Sequence, residues 1–219
     1  MQRDPYAFLS PAAAAAGVGL RTPMEHSHLA AGAAISEHDG WRVAAYEHAD
    51  AGAWAFDVSH LGKLDVRGTT GELDILTGGL GLGAARSDDE VWTMRLTPTH
   101  AYVLCPFPRV AGLRGRIGAG AIDVTCGLAG VALGGDRRRD VFNRSSGLDV
   151  RPSRFGPNRC MAGSVMRVPT IVLNRGPDLV MLVAWEMGEY FWEAILDAGA
   201  TIGIARAGVV VREPHEATA

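Results

Sequence analysis

The chain has 219 residues, 47% hydrophobic and 21% charged, with a formal net charge of -3. That length can bury one large core or two small ones that share it, and the balance of charge leaves no electrostatic footprint for nucleic acid. No apolar run reaches the roughly 20 residues a membrane helix needs, and Cys105, Cys126 and Cys160 form no Cys-x-x-Cys pair, which argues against a zinc ribbon or a disulfide scaffold and for reduced thiols in a cytoplasmic protein.

Residues 1–21 read as a mobile Ala-rich extension. Asp4 cancels Arg3 and Pro11 breaks the apolar stretch, so a secretory signal is a poor match. Organised sequence starts at Thr22-Pro23. Helical character over 24–34 is followed by Gly40-Trp41 and a strand over 42–46. A turn is expected over 52–56, then a strand over 63–67 with apolar-polar alternation. Between them, Asp57, Ser59 and His60 place short polar groups at the strand entrance, where such side chains satisfy loop backbone. Thr69 caps a short helix ending near Leu76, and the GGLGLG that follows is a flexible connector. Strands are predicted over 90–96 and 101–105, joined by a turn at 97–100. Residues 112–121 form a Gly-rich link that lacks the context of a phosphate loop.

Strands over 122–124 and 128–133 precede a helix over 135–142, whose start accounts for Arg137-Arg138-Arg139. Residues 164–168 and 169–173 make one strand bulged at Pro169, or two pieces. A strand over 180–185, an amphipathic helix over 189–198 ended by Gly199, and a strand over 209–211 complete the chain. Strands outnumber helices and the connections are too short for serial βαβ crossovers, which predicts an α+β fold with mostly antiparallel sheets and packed helices. The histidines are spaced wrongly for a metal site. Asp57, Ser59 and His60 lack the Gly-x-Ser-x-Gly elbow of a hydrolase.

One ordered set of motifs carries more information. Thr22-Pro23-Met24, Gly40-Trp41, Glu47-His48 and Phe56-Asp57-Val58-Ser59-His60-Leu61-Gly62 resemble the entry segment of the glycine-cleavage T-protein family, the tetrahydrofolate-dependent aminomethyltransferases. Residues 87–104, residues 128–141 with Gly134-Gly135, and Phe191-Trp192 through Arg206 extend the resemblance over 22–212. The resemblance implies a T-protein-like fold of two interlocked subdomains over 22–212, with 213–219 a tail and without the family's C-terminal barrel. It implies tetrahydrofolate as cofactor and Asp88 as the catalytic carboxylate that orients the folate amine. Leu61 then stands on the pterin face, Arg206 near the folate, and Asp57 and His60 in the cofactor-binding wall.

The glutamate that the family contributes to folate binding has no counterpart near residues 174–180, where Asp178 is a shifted substitute. A second similarity, through Leu148-Asp149 and Pro152–Phe155, is to the gamma subunit of heterotetrameric sarcosine oxidase. It implies a non-catalytic chain docked on a flavin-dependent amine oxidase. A third expectation is a repurposed fold whose cleft binds another small molecule.

Overall fold

The computed structural model describes residues 19–46 and 51–208. The opening elements are β1 (Leu20–Arg21), α1 (Glu25–Ala30), β2 (Ala34–His38) and β3 (Trp41–Ala45), with β3 paired between the other two strands. The helix expected over 24–34 therefore stops at Ala30. The strand that replaces its end is half-buried or exposed throughout, so it carries no period-two stripe.

The turn expected over 52–56 is instead a strand, β4 (Ala53–Asp57). Ala53, Ala55 and Asp57 are buried on one face, and Trp54 and Phe56 are half-buried on the other. That alternation is a strand's, disguised by the low strand preference of alanine. Next come β5 (Gly62–Arg67) and α2 (Thr70–Thr77), whose cap is as expected: Thr69 Oγ1 accepts from Glu72 N, and Glu72 accepts from Thr69 N.

The strands β6 (Ala85–Asp88), β7 (Val91–Thr97) and β8 (His100–Cys105) form a meander. The Gly-rich link over 112–121 proves to be largely α3 (Val110–Ile117). Val110, Leu113 and Ile117 pack on the core while Gly112 and Gly115 face open space. Burial of that stripe outweighs the roughly 1 kcal/mol each glycine costs a helix.

The remaining elements are β9 (Ala121–Asp123), β10 (Leu128–Gly134), α4 (Arg138–Ser145), β11 (Arg159–Val165), β12 (Val168–Asn174), β13 (Asp178–Ala184), α5 (Gly188–Gly199) and β14 (Ile204–Ala207). The alternatives left open around Pro169 resolve as a hairpin. The chain reverses at Met166-Arg167, with φ of 49° and 64°, and Pro169 sits opposite Ser164. Neither turn residue is a Gly or Asn, the usual signal for such a reversal. The strand expected over 209–211, residues 1–18 and the Glu47-His48 motif lie outside the described residues.

Two sheets pack face to face. One has the order β11-β12-β13-β10-β4-β14 and the other β6-β7-β8-β5-β9; all pairings in them are antiparallel except β4 with β14. Helices α4 and α5 cover the outer face of the first sheet around Phe142, Phe191 and Trp192. Helices α2 and α3 cover the second around Leu64, Val66 and Leu73. Between the sheets lie Met94, Tyr102, Leu104, Leu173, Val180 and Leu182. Gly134 ends β10 where a side chain would collide with a neighbour: a Cβ there would lie 2.0 Å from the Trp54 ring.

The opening segment is tied to this body by Ser27 bonded to Glu189, by Trp41 packed on Phe107 and Trp185, and by a buried pair from α1. His28 Nε2 donates to Asp57 Oδ2 at 3.0 Å, with side-chain exposures of 1% and 3%, and His28 Nδ1 meets the Tyr46 hydroxyl at 2.8 Å. The His28 ring also stands edge-on to Trp192, centroids 4.8 Å apart. Burial alone would push the Asp57 carboxyl up, but the hydrogen bond and charge of His28, together with smaller contributions that include the Ser59 bond, leave the carboxyl below its ordinary value.

Asp57→Asn removes the anion that offsets His28 and is expected to lower stability by about 3–5 kcal/mol. A carboxyl depressed in the folded state stabilises above its unfolded value, near 4, and loses that contribution as pH falls through the folded one. Urea unfolding at pH 7 therefore separates wild type from variant, and the gap narrows towards pH 3. Equal midpoints at pH 7 would contradict the assignment.

Candidate functional site

The connection from β4 to β5 is held from within. Asp57 Oδ1 accepts from Ser59 N at 2.9 Å, Val58 N donates to Gly130 O at 2.8 Å, and Ser59 Oγ accepts from Gly130 N at 3.1 Å. Leu61 N closes the turn on Val58 O at 3.1 Å. Gly62 then lets β5 pass α3, since a Cβ there would lie 2.1 Å from Val110 Cγ2. Asp57, Ser59 and His60 are all buried, and only Leu61 is half-exposed.

Leu61 emerges at a cleft of about 300 Å³ between the ends of the two packed sheets. Leu61, Trp92 and Leu104 give it apolar walls, Cys105 and Pro106 line it further, and Ser87, Glu90 and Arg175 supply polar groups. Arg175 is fixed by Asp178, with Nε 2.7 Å from Oδ1. Cys105 offers a neutral thiol, because burial pushes it up to about 11. The volume is at the lower end for small-molecule sites, room for one ring system rather than a long ligand.

Glu90 is held there by a strained turn. Asp89 and Glu90 both have positive φ, 45° and 63°, in the two-residue loop between β6 and β7. Asn, Asp and Gly are the usual occupants of such a turn, so the strain falls on Glu90, at a cost of order 1–3 kcal/mol. Arg109 clamps the turn, with Nη1 donating to Asp89 O at 2.6 Å and to Asp89 Oδ2 at 2.8 Å.

The residues implied by the resemblance separate in space. Leu61 lines the cleft. Asp88 does not: it is exposed at the end of β6, next in the strand to Ser87, and alternation turns it from the face on which Ser87 lines the cleft. Asp57 is bound to His28 inside the fold. His60 is buried beside Phe56 and His38, with Nδ1 lacking any hydrogen-bond partner among the described residues, and burial holds its imidazole neutral, down to about 4. Arg206 is exposed on β14, close enough for its charge to act on the Tyr46 phenol. Asp178 is buried against Arg175 and reaches the cleft only through it. Sequence reasoning passed over Glu90 and Trp92; their signal was the Asp-Asp-Glu turn, whose left-handed backbone no single residue announces.

No protein-family model and no curated protein matches the chain. Solved structures do match. Heterotetrameric sarcosine oxidase from Corynebacterium sp. U-96 includes a chain of which 97% aligns with 84% of this one, with a TM-score of 0.64 at 21% identity. Glycine cleavage system aminomethyltransferase T from Bartonella henselae aligns over 87% of this chain, with a TM-score of 0.71 at 16% identity. The chain spans 60% of that aminomethyltransferase's length. The fold is therefore α+β and T-protein-like. No helix among the described residues is long and apolar enough to cross a membrane.

The cleft geometry sets an order of thiol reactivity. At pH 8, iodoacetamide is expected to modify exposed Cys126 first and to spare buried Cys105 and Cys160, the latter pushed up to about 12, until denaturant is added. Peptide mass spectrometry reads the order, and early labelling of Cys105 would mean a wider cleft than described.

Proposed function

We propose that this chain is a tetrahydrofolate-binding module for aminomethyl or methyl transfer, working inside a larger assembly, and that its site is the Leu61–Trp92 cleft. The observation that carries the reading is a carboxylate and an indole in one cleft. A pterin is a flat ring with an amidine-like N–H edge. Trp92 and Leu61 suit its faces, and the Glu90 carboxylate suits its paired donors. Arg175 adds a guanidinium on the rim for a carboxylate tail. Bound folate would supply the amine nitrogens that carry the one-carbon unit. The carboxylate role that the resemblance gives to Asp88 falls, in this reading, to Glu90. The strain held at Glu90 supports the choice, since a glycine there would fold more easily.

A second reading rests on a separate observation. The alignment runs over 97% of one sarcosine oxidase chain but 60% of the aminomethyltransferase. A non-catalytic subunit docked on a flavin-dependent amine oxidase has that length relation.

Tetrahydrofolate titration, followed through tryptophan emission, distinguishes the readings. Saturable quenching is expected in wild type and in Asp88→Asn. In Glu90→Gln the loss of a charge-assisted contact weakens binding about 10- to 100-fold. Equal binding by Glu90→Gln and loss in Asp88→Asn would return the role to Asp88. No quenching in any of them, with a flavoprotein amine oxidase binding the purified chain, would favour the second reading.

A further inference from the structure

The chain contains 20 arginines and a single lysine, Lys63. That one lysine is fully buried, at 0% exposure. Its ammonium meets no carboxylate within ion-pair distance among the described residues, whereas the buried guanidinium of Arg95 is paired with Asp74. Its protons go to backbone carbonyls: Ser59 O at 2.7 Å, Leu61 O at 2.8 Å and, more weakly, Thr125 O at 3.5 Å. Lys63 N also donates to Thr125 Oγ1 at 3.0 Å. The side chain thus sutures the β4–β5 connection to the one between β9 and β10. A compact ammonium with three donors can do this from inside a tight turn; a planar guanidinium cannot. An unpaired buried charge is expensive, so its retention asks for a reason beyond packing.

We propose that the Lys63 ammonium is the positioning group of the cleft: by holding the carbonyls of Ser59 and Leu61 it sets the Leu61 side chain as the cleft wall. The inference rests on the cleft being the ligand site, and it adds a pH response to that site. Burial pulls the Lys63 amine down to about 8, against smaller upward pulls from Asp57 on β4, Cys126 and Asp123 around the β9–β10 connection, and Cys105 on β8. His60, in the same turn, stays neutral above about 4, Cys105 stays protonated to about 11, and Cys126 is raised above its ordinary value. Lys63 is therefore the group of this cluster that titrates between pH 7 and 9. Since its folded value lies below the unfolded one, the charged form opposes folding at neutral pH. Lys63's contribution to global stability rises with pH through 8 while its hold on Leu61 is lost.

A protein labelled with ¹³C at lysine Cε gives one lysine signal, which makes the test direct and free of any ligand. The signal is expected to titrate near pH 8, and the Leu61 methyl and Trp92 indole resonances to shift with the same midpoint. In folded Lys63→Met those two resonances sit at the high-pH position at every pH. A lysine signal that titrates while Leu61 and Trp92 stay still would overturn the proposal, as would a midpoint near the ordinary lysine value. Tetrahydrofolate provides the second readout. If only the charged form binds, the protonated fraction sets the apparent affinity, which falls about tenfold from pH 7 to pH 9. Absence of folate binding at every pH would sink the ligand assignment and leave the resonance test of Lys63 standing; binding equal at pH 7 and 9 would count against Lys63 alone.

Discussion

The structure depends on a carboxylate buried where no water can solvate it. Asp57 ends β4, the strand between β10 and the edge strand β14, with its side chain 3% exposed, and a bare anion there would be untenable. It is matched by His28 from the opening helix and by the Ser59 amide from the turn that follows. Those two bonds fix three things together: the opening sheet against the body through His28, the course of the chain from β4 to β5, and the place where Leu61 leaves the core. The motif that reads as a ligand-binding signature in sequence is therefore mainly an internal frame. What it offers to a ligand is the one residue it pushes outward.

The surface built on that frame follows a different logic. The frame pairs Asp57 and Ser59 internally, whereas the cleft keeps groups that a stability argument would remove. Glu90 stays in a left-handed turn that Gly or Asn would occupy with less strain. Lys63 gives its ammonium to backbone carbonyls and has no carboxylate within ion-pair distance among the described residues. Both departures lie beside Leu61, Trp92 and the cleft between the sheet ends. The likeness to aminomethyltransferase T and to a chain of sarcosine oxidase is one of fold, and a fold alone does not fix the chemistry of these few side chains.

Much of the fold was legible in the sequence because the local signals agreed with the packing. Thr69 announced the start of α2, and the alternation in β5 and the apolar run of β13 read directly as strands. The elements that were misread are those where tertiary contact overrides local preference. Ala53 and Ala55 look like turn residues until α5 is laid against them, and the glycines of α3 look like a linker until Val110, Leu113 and Ile117 find the core. The candidate site was legible only in part. Leu61 could be named because its neighbours Asp57 to Gly62 form a recognisable string. Asp57 and His60 share that string, yet the fold turns them inward. Glu90 could not be ranked above Asp88, because one residue of strand register and two positive φ values decide which carboxylate faces the cleft.

The division between an inward frame and an outward cleft is tested most directly by mapping amide, methyl and indole resonances during addition of tetrahydrofolate. Perturbations confined to Leu61, Trp92, the Asp89-Glu90 turn and Arg175, with His28 and Tyr46 unmoved, are the predicted result. Perturbations centred on His28, Tyr46 and Arg206, with the cleft unmoved, would contradict it.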